Sequence, residues 1–343
     1  MPERLSIGID IGGSNVVGGV VDEDGQILAD TRRLTPGTDP NRVLDVIVDI
    51  TDELRAQHHV RALGIGAAGF VDASQSTVVF SPHLAWRHEP LRDSAARRTR
   101  LPVLVDNDAN AAGWAEWRFG AVQNEPDLVL VTLGTGIGGA LVIDGQPYRG
   151  AGGIAGEFGH MQVVPDGHPC ECGNHGCWEQ YASGRVLQRW AEQAVANEDA
   201  IAGGLRAQAG DEPVAGIHVT QMAKAGDAEA ITWIDQMGGW LGVGIANLAA
   251  ALDPGVFVIG GGVSQAGELL LEPARRAFRG TLTGRGYRPE ARIVRAHLGP
   301  EAGLIGAADM ARVKARRRRQ ANPGGRVRVR ATARSTRQRR RRR

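Results

Sequence analysis

Potential metal ligands are concentrated in one short segment of the chain. One histidine and three cysteines lie within it: His160, Cys170, Cys172 and Cys177. The run Cys-Glu-Cys-Gly-Asn-His-Gly-Cys suits a tetrahedral Zn²⁺ site, because its glycines let a short loop turn tightly enough to aim the thiolates inward. Four protein ligands leave no position open for water, which favours a structural zinc over a catalytic one. His168 and His175 are alternative nitrogen ligands in place of His160.

Two acidic residues flank these ligands. Glu157 lies three residues before His160, and Glu179 lies two residues after Cys177. A loop stiffened by metal would orient both carboxylates and reduce the entropy lost when a substrate is ordered. Many hydrogen-bond acceptors with few apolar neighbours predict a polyhydroxylated ligand such as a sugar.

A third acidic segment follows a predicted strand over residues 101–105. The residues Asp106-Asn107-Asp108 come at its carboxyl end, so their side chains are expected to project into a crevice. In phosphoryl transfer to an alcohol, an aspartate accepts the proton of the attacking hydroxyl while Mg²⁺ and backbone amides bear the phosphate charge. Asp108 is the candidate base. Alternatively it only caps the helix that follows, and one residue can do both.

Glycine loops occur in two similar strand, loop and strand units. The first strand, residues 5–10, leads into Asp10-Ile-Gly-Gly-Ser14, and the second, residues 128–133, leads into Gly134-Thr-Gly-Ile-Gly-Gly139. Two copies of one unit predict two related α/β domains that open onto a shared cleft. A third cluster, Gly260-Gly-Gly262, follows a buried strand and precedes a helix, where α/β sheets bind ligands.

The glycine loops predict contacts between backbone N–H groups and phosphate oxygens. Residues 64–69 and 134–139 also match the dinucleotide-binding fingerprint, but that fingerprint requires a helix directly after the glycines. A turn and a hairpin-like sequence follow instead, so the fingerprint is rejected. Asp10 would be poorly placed beside phosphates without a divalent cation, which indicates Mg²⁺.

The spacing of apolar residues predicts the elements that position these motifs. Helices are expected over residues 41–57, 109–117, 184–196, 228–252, 264–278 and 301–313. Strands are expected over residues 5–10, 16–21, 62–67, 101–105, 128–133, 140–143 and 256–259. This alternation indicates an α/β protein.

Composition restricts the class of protein. The 343 residues, 42% of them hydrophobic, can bury a substantial core, and the length predicts two domains. The few clustered cysteines and the lack of a signal-peptide pattern predict a cytoplasmic protein. The apolar runs are shorter than the ~20 residues that cross a bilayer, so no membrane contact is expected.

Charge is distributed unevenly along the chain. Residues 312–343 hold sixteen of the 40 Lys and Arg and none of the 38 Asp and Glu. Residues 314–343 have little apolar surface to bury and are predicted to form a disordered basic tail. The tail could bind polyanions through counterion release, or it could be a solvated extension with no ligand.

These motifs jointly resemble the ROK family of bacterial sugar kinases and repressors. The resemblance extends to about residue 313. It is carried by the glycine loops at 12–13, 134–139 and 260–262, by Asp106-Asn-Asp-Ala-Asn110, by Gly156-Glu-Phe-Gly-His160, and by the cysteine run ending in Cys177-Trp-Glu179.

The resemblance implies a two-domain actin-like ATPase (ribonuclease H-like) sugar-kinase fold with an inter-domain cleft. One domain would comprise residues 1–110 with about 300–313, and the other residues 111–299 with the zinc loop. Asp108 would be the general base. The sugar site would comprise Gly69, Asn107, Asp108, Glu157, His160 and Glu179. The nucleotide site would comprise Asp10, Gly12, Gly13, Ser14, Gly134, Thr135, Gly136, Gly260, Gly261 and Gly262. The zinc ligands would be His160, Cys170, Cys172 and Cys177.

Within the family, the chain is most similar to the actinobacterial-type glucokinases, which use ATP with Mg²⁺ to phosphorylate the 6-hydroxyl of glucose. Ser14-Asn15 replaces the common Thr-Lys, which removes a cation near the phosphates and keeps polyphosphate open as the donor. An N-acetylhexosamine kinase or another hexose kinase is a further alternative. A sugar-responsive regulator is less favoured, because a first strand at about residue 5 leaves no room for a DNA-binding extension. Family resemblance implies a homodimer or homotetramer, and no specific nucleic-acid partner is expected.

Overall fold

A computed structural model describes residues 5–36, 39–82 and 84–321 of the chain. Within these ranges the strands are β1 (Leu5–Ile11), β2 (Asn15–Val21), β3 (Ile27–Leu34), β4 (Val60–Ala67), β5 (Phe70–Val71), β6 (Val78–Phe80), β7 (Arg87–Glu89), β8 (Val103–Asn107), β9 (Leu128–Leu133), β10 (Ile137–Ile143), β11 (Gln146–Tyr148), β12 (Val256–Gly260) and β13 (Arg292–Arg295).

The α-helices of the same ranges are α1 (Pro40–Arg55), α2 (Leu91–Thr99), α3 (Asp108–Phe119), α4 (Glu179–Ala182), α5 (Gly184–Asn197), α6 (Ala202–Ala209), α7 (Gly216–Lys224), α8 (Ala228–Leu252), α9 (Glu268–Thr281) and α10 (Ala302–Ala321). Short 3-10 helices lie at Phe158–His160, Gly262–Ala266 and Gly299–Glu301. None of the helices in the described ranges combines the length and the apolar character that crossing a membrane requires.

Two five-stranded sheets have the same strand order. The first is ordered β3-β2-β1-β4-β8 and the second β11-β10-β9-β12-β13. In each, three consecutive strands form an antiparallel meander, a fourth strand pairs in parallel with the first strand of the meander, and a fifth pairs in parallel with the fourth. The repeated unit predicted from the glycine loops is therefore confirmed. A small sheet of β5, β6 and β7 lies in the connection from β4 to β8.

Helix α1 covers the first sheet with an apolar face. Its buried residues include Val43, Ile47 and Ile50, which recur at helical spacing. The side chain of Asp39 accepts a hydrogen bond from the backbone N–H of Asn41, and proline follows at the first helical position. Both features favour a helix start at this point.

Helix α10 packs against the first sheet although it follows the second in sequence. Gly64 of β4 allows this approach, since a Cβ there would overlap the backbone carbonyl of Ala307. The Ser6 hydroxyl of β1 donates a 2.9 Å hydrogen bond to the carbonyl of Ala308. Helix α3 contacts both α10 and β10, so it lies between the two sheets. The proposed division into two domains is consistent with this arrangement and remains a proposal.

The structure corrects the bounds of two predicted helices. Helix α10 continues to Ala321, because Ala, Arg, Lys and Gln are all good helix formers. The predicted disordered tail therefore begins at least eight residues too early, and residues 322–343 lie outside the described ranges. Helix α9 begins at Glu268 rather than 264, because Gly267 has φ +62° and separates it from a 3-10 turn. Helices α2, α6 and α7 were not predicted.

Candidate active site

Strand β8 passes directly into helix α3 at Asn107 and Asp108. The Asn107 side-chain oxygen accepts a 3.0 Å hydrogen bond from the N–H of Asn110, which makes Asn107 the N-cap. The alternative in which Asp108 caps the helix is therefore wrong. Asn107 still has extended backbone geometry, as a cap requires, whereas Asp108 is already the first helical residue.

Gly69 lies next to Asn107 and orients it. The Asn107 Nδ2 donates a 3.1 Å hydrogen bond to the carbonyl of Gly69. Each polar atom of the Asn107 amide keeps a second hydrogen-bonding position, because Nδ2 has another hydrogen and Oδ1 another lone pair. The structure thus brings together Gly69, Asn107 and Asp108, three of the residues predicted for the sugar.

The predicted acidic residues from distant segments lie close enough to interact electrostatically. Burial raises the pKa of Asp10 to about 7, and the charge of Asp108 adds to this effect. Burial also raises the pKa of Glu157, with Asp108 and Glu179 raising it further and His160 opposing them. The structure therefore gathers four carboxylates in one region, from β1, from α3 and from the two ends of the cysteine segment.

The cysteine segment forms a cluster whose donors fit zinc. The ligand atoms of His160, Cys170, Cys172 and Cys177 all lie within 4.8 Å of one another. The Cys172 and Cys177 sulfurs are 3.6 Å apart, and His160 Nδ1 is 3.7 Å from the Cys170 sulfur. Thiolates bound at about 2.3 Å to a tetrahedral Zn²⁺ would lie ~3.8 Å apart. His168 and His175 are outside this cluster, so neither replaces His160 in it.

Glu179 connects the cysteine cluster to the second sheet. Its Oε1 accepts a 3.2 Å hydrogen bond from the Cys170 thiol and lies 3.8 Å from His160 Nδ1. Its Oε2 accepts a 3.4 Å hydrogen bond from the N–H of Ile137, directly after the glycine loop at 134–136. Since His160 presents Nδ1 to the cluster, its Nε2 is the nitrogen that remains for a sugar.

Two of the glycine loops lie side by side. The N–H groups of Gly184 and Arg185 donate to the carbonyls of Gly134 and Thr135, at 2.8 and 3.3 Å. Gly261 has φ +80°, and a Cβ there would come within 2.6 Å of the Leu133 backbone nitrogen. The loops at 134–136 and 260–262 therefore form one surface, with Gly134 and Thr135 exposed to solvent. Strand β10 follows the first of these loops, as the rejection of the dinucleotide fingerprint required.

The first glycine loop belongs to the other sheet. Gly12 donates a 2.9 Å hydrogen bond to the carbonyl of Asn15, and Thr35 bonds to the carbonyls of Gly12 and Ser14. Gly13 and Ser14 are exposed. The glycines predicted for one nucleotide therefore come from both sheets.

The sequence analysis expected the side chain of Asp106 to project into a crevice, and this is wrong: Asp106 is a buried carboxylate behind the site. Asp106 is 1% exposed, and its Oδ2 accepts hydrogen bonds from Arg149 at 2.6 and 2.8 Å and from Gln75 at 2.7 Å. Nothing in the local pattern indicates these partners, which lie 43 and 31 residues away. The only indication in the sequence of a partner for Asp106 was Arg149, in the run Tyr-Arg-Gly that precedes Glu157.

Comparison with known proteins gives consistent results. A sequence model described as the ROK family matches residues 6–314. The chain is 44% identical over 310 residues to a glucokinase of Streptomyces coelicolor, an alignment that covers 90% of this chain and 98% of the relative.

Solved structures are similar over the same range. A ROK family glucokinase from Streptomyces griseus, in complex with glucose and AMPPNP, has a TM-score of 0.83 at 47% identity, covering 90% of this chain and 99% of that one. A ROK hexokinase from Thermus thermophilus has a TM-score of 0.74 at 33% identity, covering 92% and 100%. These matches confirm the predicted actin-like sugar-kinase fold.

Proposed function

The chain belongs to the ROK family, and we propose that it is a glucokinase, which transfers the terminal phosphoryl group of ATP to the 6-hydroxyl of glucose. One observation carries the proposal: in a chain 44% identical to a glucokinase, Asp108 lies at a strand-to-helix junction beside Glu157 and two exposed glycine loops. Phosphoryl transfer to an alcohol needs a base for the attacking hydroxyl and backbone amides that bind the phosphates.

In this mechanism Asp108 accepts the proton of the 6-hydroxyl as that oxygen attacks phosphorus. Asn107 donates and accepts hydrogen bonds with ring hydroxyls through the free positions of its amide. Glu157 and the Nε2 of His160 approach the sugar from the second sheet. Because several fixed polar groups converge on the ring, binding energy is used to orient the 6-hydroxyl toward Asp108.

The nucleotide is proposed to lie along the surface formed by the loops at 134–136 and 260–262, with the loop at 12–14 closing over its phosphates. Backbone N–H groups in such loops attract phosphate oxygens. Mg²⁺ bound with ATP would neutralise phosphate charge, and Asp10 is the carboxylate suited to hold its water shell. Such a cation would favour ionisation of Asp10, against the effect of burial.

The cysteine cluster is proposed to hold one structural Zn²⁺ through His160, Cys170, Cys172 and Cys177. Their four donor atoms fill a tetrahedral site and leave no position for a reacting water. The ion would fix the segment between Glu157 and Glu179 and so keep both carboxylates at the sugar site. The cytoplasmic location predicted from the cysteine usage agrees with three reduced ligands.

A panel of sugars and donors tests the proposed function. Purified protein is supplied with ATP and Mg²⁺, and phosphorylated product is measured with glucose, mannose and N-acetylglucosamine. The proposal expects the highest kcat/KM with glucose and product phosphorylated at the 6-position. A higher kcat/KM with N-acetylglucosamine would show that the substrate is an N-acetylhexosamine and not glucose. Activity with polyphosphate and none with ATP would show that polyphosphate is the donor. Sedimentation of the same sample measures whether the protein is the expected homodimer or homotetramer.

A further inference from the structure

The proposed reaction needs Asp108 of the first sheet and Glu157 of the second to keep a fixed separation, and we propose that Arg149 is the positioning residue that sets it. This inference rests on the proposed function. Arg149 lies directly after β11 of the second sheet, whereas its side chain bonds to the first. It is not among the residues assigned to either substrate, and its effect would be transmitted through Asp106.

The bond between Arg149 and Asp106 is close and oriented. Arg149 donates from Nε at 2.8 Å and from Nη2 at 2.6 Å to Oδ2 of Asp106. Charge-assisted bonds from a planar guanidinium restrain direction as well as distance. The carboxylate is 1% exposed and the arginine side chain 18%, so solvent does little to screen the pair. A buried carboxylate of this kind depends on its partner.

The other oxygen of Asp106 holds the segment that carries the base. Its Oδ1 accepts hydrogen bonds from the N–H of Asn107 at 2.9 Å and from the side chain of Asn110 at 3.2 Å. These bonds lie on both sides of Asp108 and fix the turn from β8 into α3. A shift of Asp106 would therefore change the direction of the Asp108 carboxylate.

The backbone of Arg149 holds the opposite side of the site. Its carbonyl accepts a 3.0 Å hydrogen bond from the N–H of Ala155, which closes the glycine-rich loop leading to Glu157. The side chain of Arg149 thus holds the segment that carries Asp108, and its backbone holds the segment that carries Glu157. Only the side-chain bond can be removed by substitution without altering the loop directly.

Helix α10 supports the same carboxylate from a third direction. Gln75 donates a 2.7 Å hydrogen bond to Oδ2 of Asp106, and Lys314 donates a 2.9 Å hydrogen bond to the side-chain oxygen of Gln75. Gln75 carries no charge, so it cannot replace the guanidinium. Lysine at 149 would keep the charge but would lose the fork geometry.

The chain contains a matched control for this pair. Arg118 also pairs with a buried aspartate, Asp309, at 3.3 Å, and Asp309 is fully buried. Arg118 is ten residues after Asp108 on α3, which places it about 15 Å farther along the helix. Asp309 also accepts hydrogen bonds from Arg312 and from the indole N–H of Trp114. Loss of the Arg118 bond therefore tests the cost of disturbing an arginine on a buried carboxylate that keeps a second cation.

The experiment compares R149K and R149Q with R118K and R118Q. We expect R149K and R149Q to lower kcat on the order of a hundredfold and to raise KM for glucose, with KM for ATP unchanged, because the base and sugar contacts move while the nucleotide loops do not. The Arg118 variants should keep kcat within about twofold of the wild type. Thermal unfolding of all four variants, with and without glucose, is measured alongside.

R149K keeps the charge and guards against a variant that fails to fold. If R149K keeps kcat and KM for glucose close to those of R118K, the positioning role is overturned. It is also overturned if both pairs of variants lose activity in proportion to a fall in melting temperature, or if KM for ATP rises as much as KM for glucose. A wild-type protein that phosphorylates no hexose would instead overturn the proposed function.

Discussion

The two five-stranded sheets have one strand order but end in different chemistry. In the first sheet, β1 and β8 end in acidic and amide side chains. Asp10 lies near the carboxyl end of β1, and Asp106 and Asn107 lie at the carboxyl end of β8. In the second, β9 leads into Gly134 and β12 ends at Gly260. One copy supplies side chains that can move a proton or hold a cation, and the other supplies exposed backbone that can approach phosphates.

This difference indicates how a duplicated fold can divide one reaction. Parallel strands in both sheets present their carboxyl ends at an edge, where ligands bind. Changes in the first sheet should therefore alter the chemical step, and changes in the second should alter nucleotide affinity. D108N and G261A test that assignment directly.

The largest effect is expected for the base of the first sheet. D108N should lower kcat by roughly a thousandfold, because the 6-hydroxyl loses its proton acceptor. KM for ATP should change little, since the loops of the second sheet are intact. Steady-state kinetics with glucose and ATP measures both constants. D211N, at an exposed aspartate that is not assigned to either substrate, is the control. A D108N variant with wild-type turnover would contradict the assignment of the chemical step to the first sheet.

The cysteine cluster should affect the sugar rather than the nucleotide. C172S removes one of four zinc donors and should lower metal content below one ion per chain, with KM for glucose raised tenfold or more, on the order expected when support of a metal site is lost. Elemental analysis and kinetics are measured on the same preparation. If zinc is lost and the glucose kinetics are unchanged, the metal contributes to folding and not to sugar binding.

A glycine of the second sheet should affect nucleotide affinity and stability. G261A puts a side chain at φ +80° against the backbone of Leu133, which should cost about 1–3 kcal/mol of the free energy of unfolding and raise KM for ATP. G262A, in the same loop, is the control for stability, because its Cβ would meet no atom within 4 Å. Urea unfolding and kinetics separate the two effects. An equal fall in the free energy of unfolding in both variants would argue against a specific role for the packing of Gly261 on Leu133.

The smallest effect is expected for Asp10 in the absence of nucleotide. Burial raises its folded-state pKa from 3.8 to about 7, so between these values the folded protein holds a proton that the unfolded chain has released. The free energy of unfolding should therefore fall as pH rises through this range, by up to ~1.4 kcal/mol per pH unit attributable to this group. D10N should remove that part of the pH dependence. Urea unfolding from pH 4 to pH 8 compares the two proteins, and parallel curves would contradict the assigned shift.

Much of the fold could be predicted from the sequence because its signals are local. The two glycine loops, the strands before them and the apolar spacing of α1 and α8 depend on residues within one or two turns of each other. The same holds for the cysteine cluster, whose four ligands lie in eighteen residues. The helix boundary at 107–108 was shifted by one residue, because Asn and Asp have nearly equal preference for the cap.

Contacts between distant segments could not be predicted in this way. Arg149 and Asp106 are 43 residues apart and belong to different sheets, so only the packing of the two sheets brings them together. Lys314 was assigned to a solvated tail, but its amine bonds to Gln75, 239 residues earlier. A run of basic residues predicts exposure, and nothing in the local sequence indicates that Lys314 is half-buried against a distant segment.

The central claim is that the carboxylate of Asp108 receives the proton of the sugar's 6-hydroxyl. A crystal structure with glucose bound measures this directly. We predict that a carboxylate oxygen of Asp108 lies ~2.6–3.2 Å from the 6-hydroxyl oxygen, within hydrogen-bonding reach. Glucose bound with its 6-hydroxyl directed away from Asp108 and toward another acidic side chain would contradict the account.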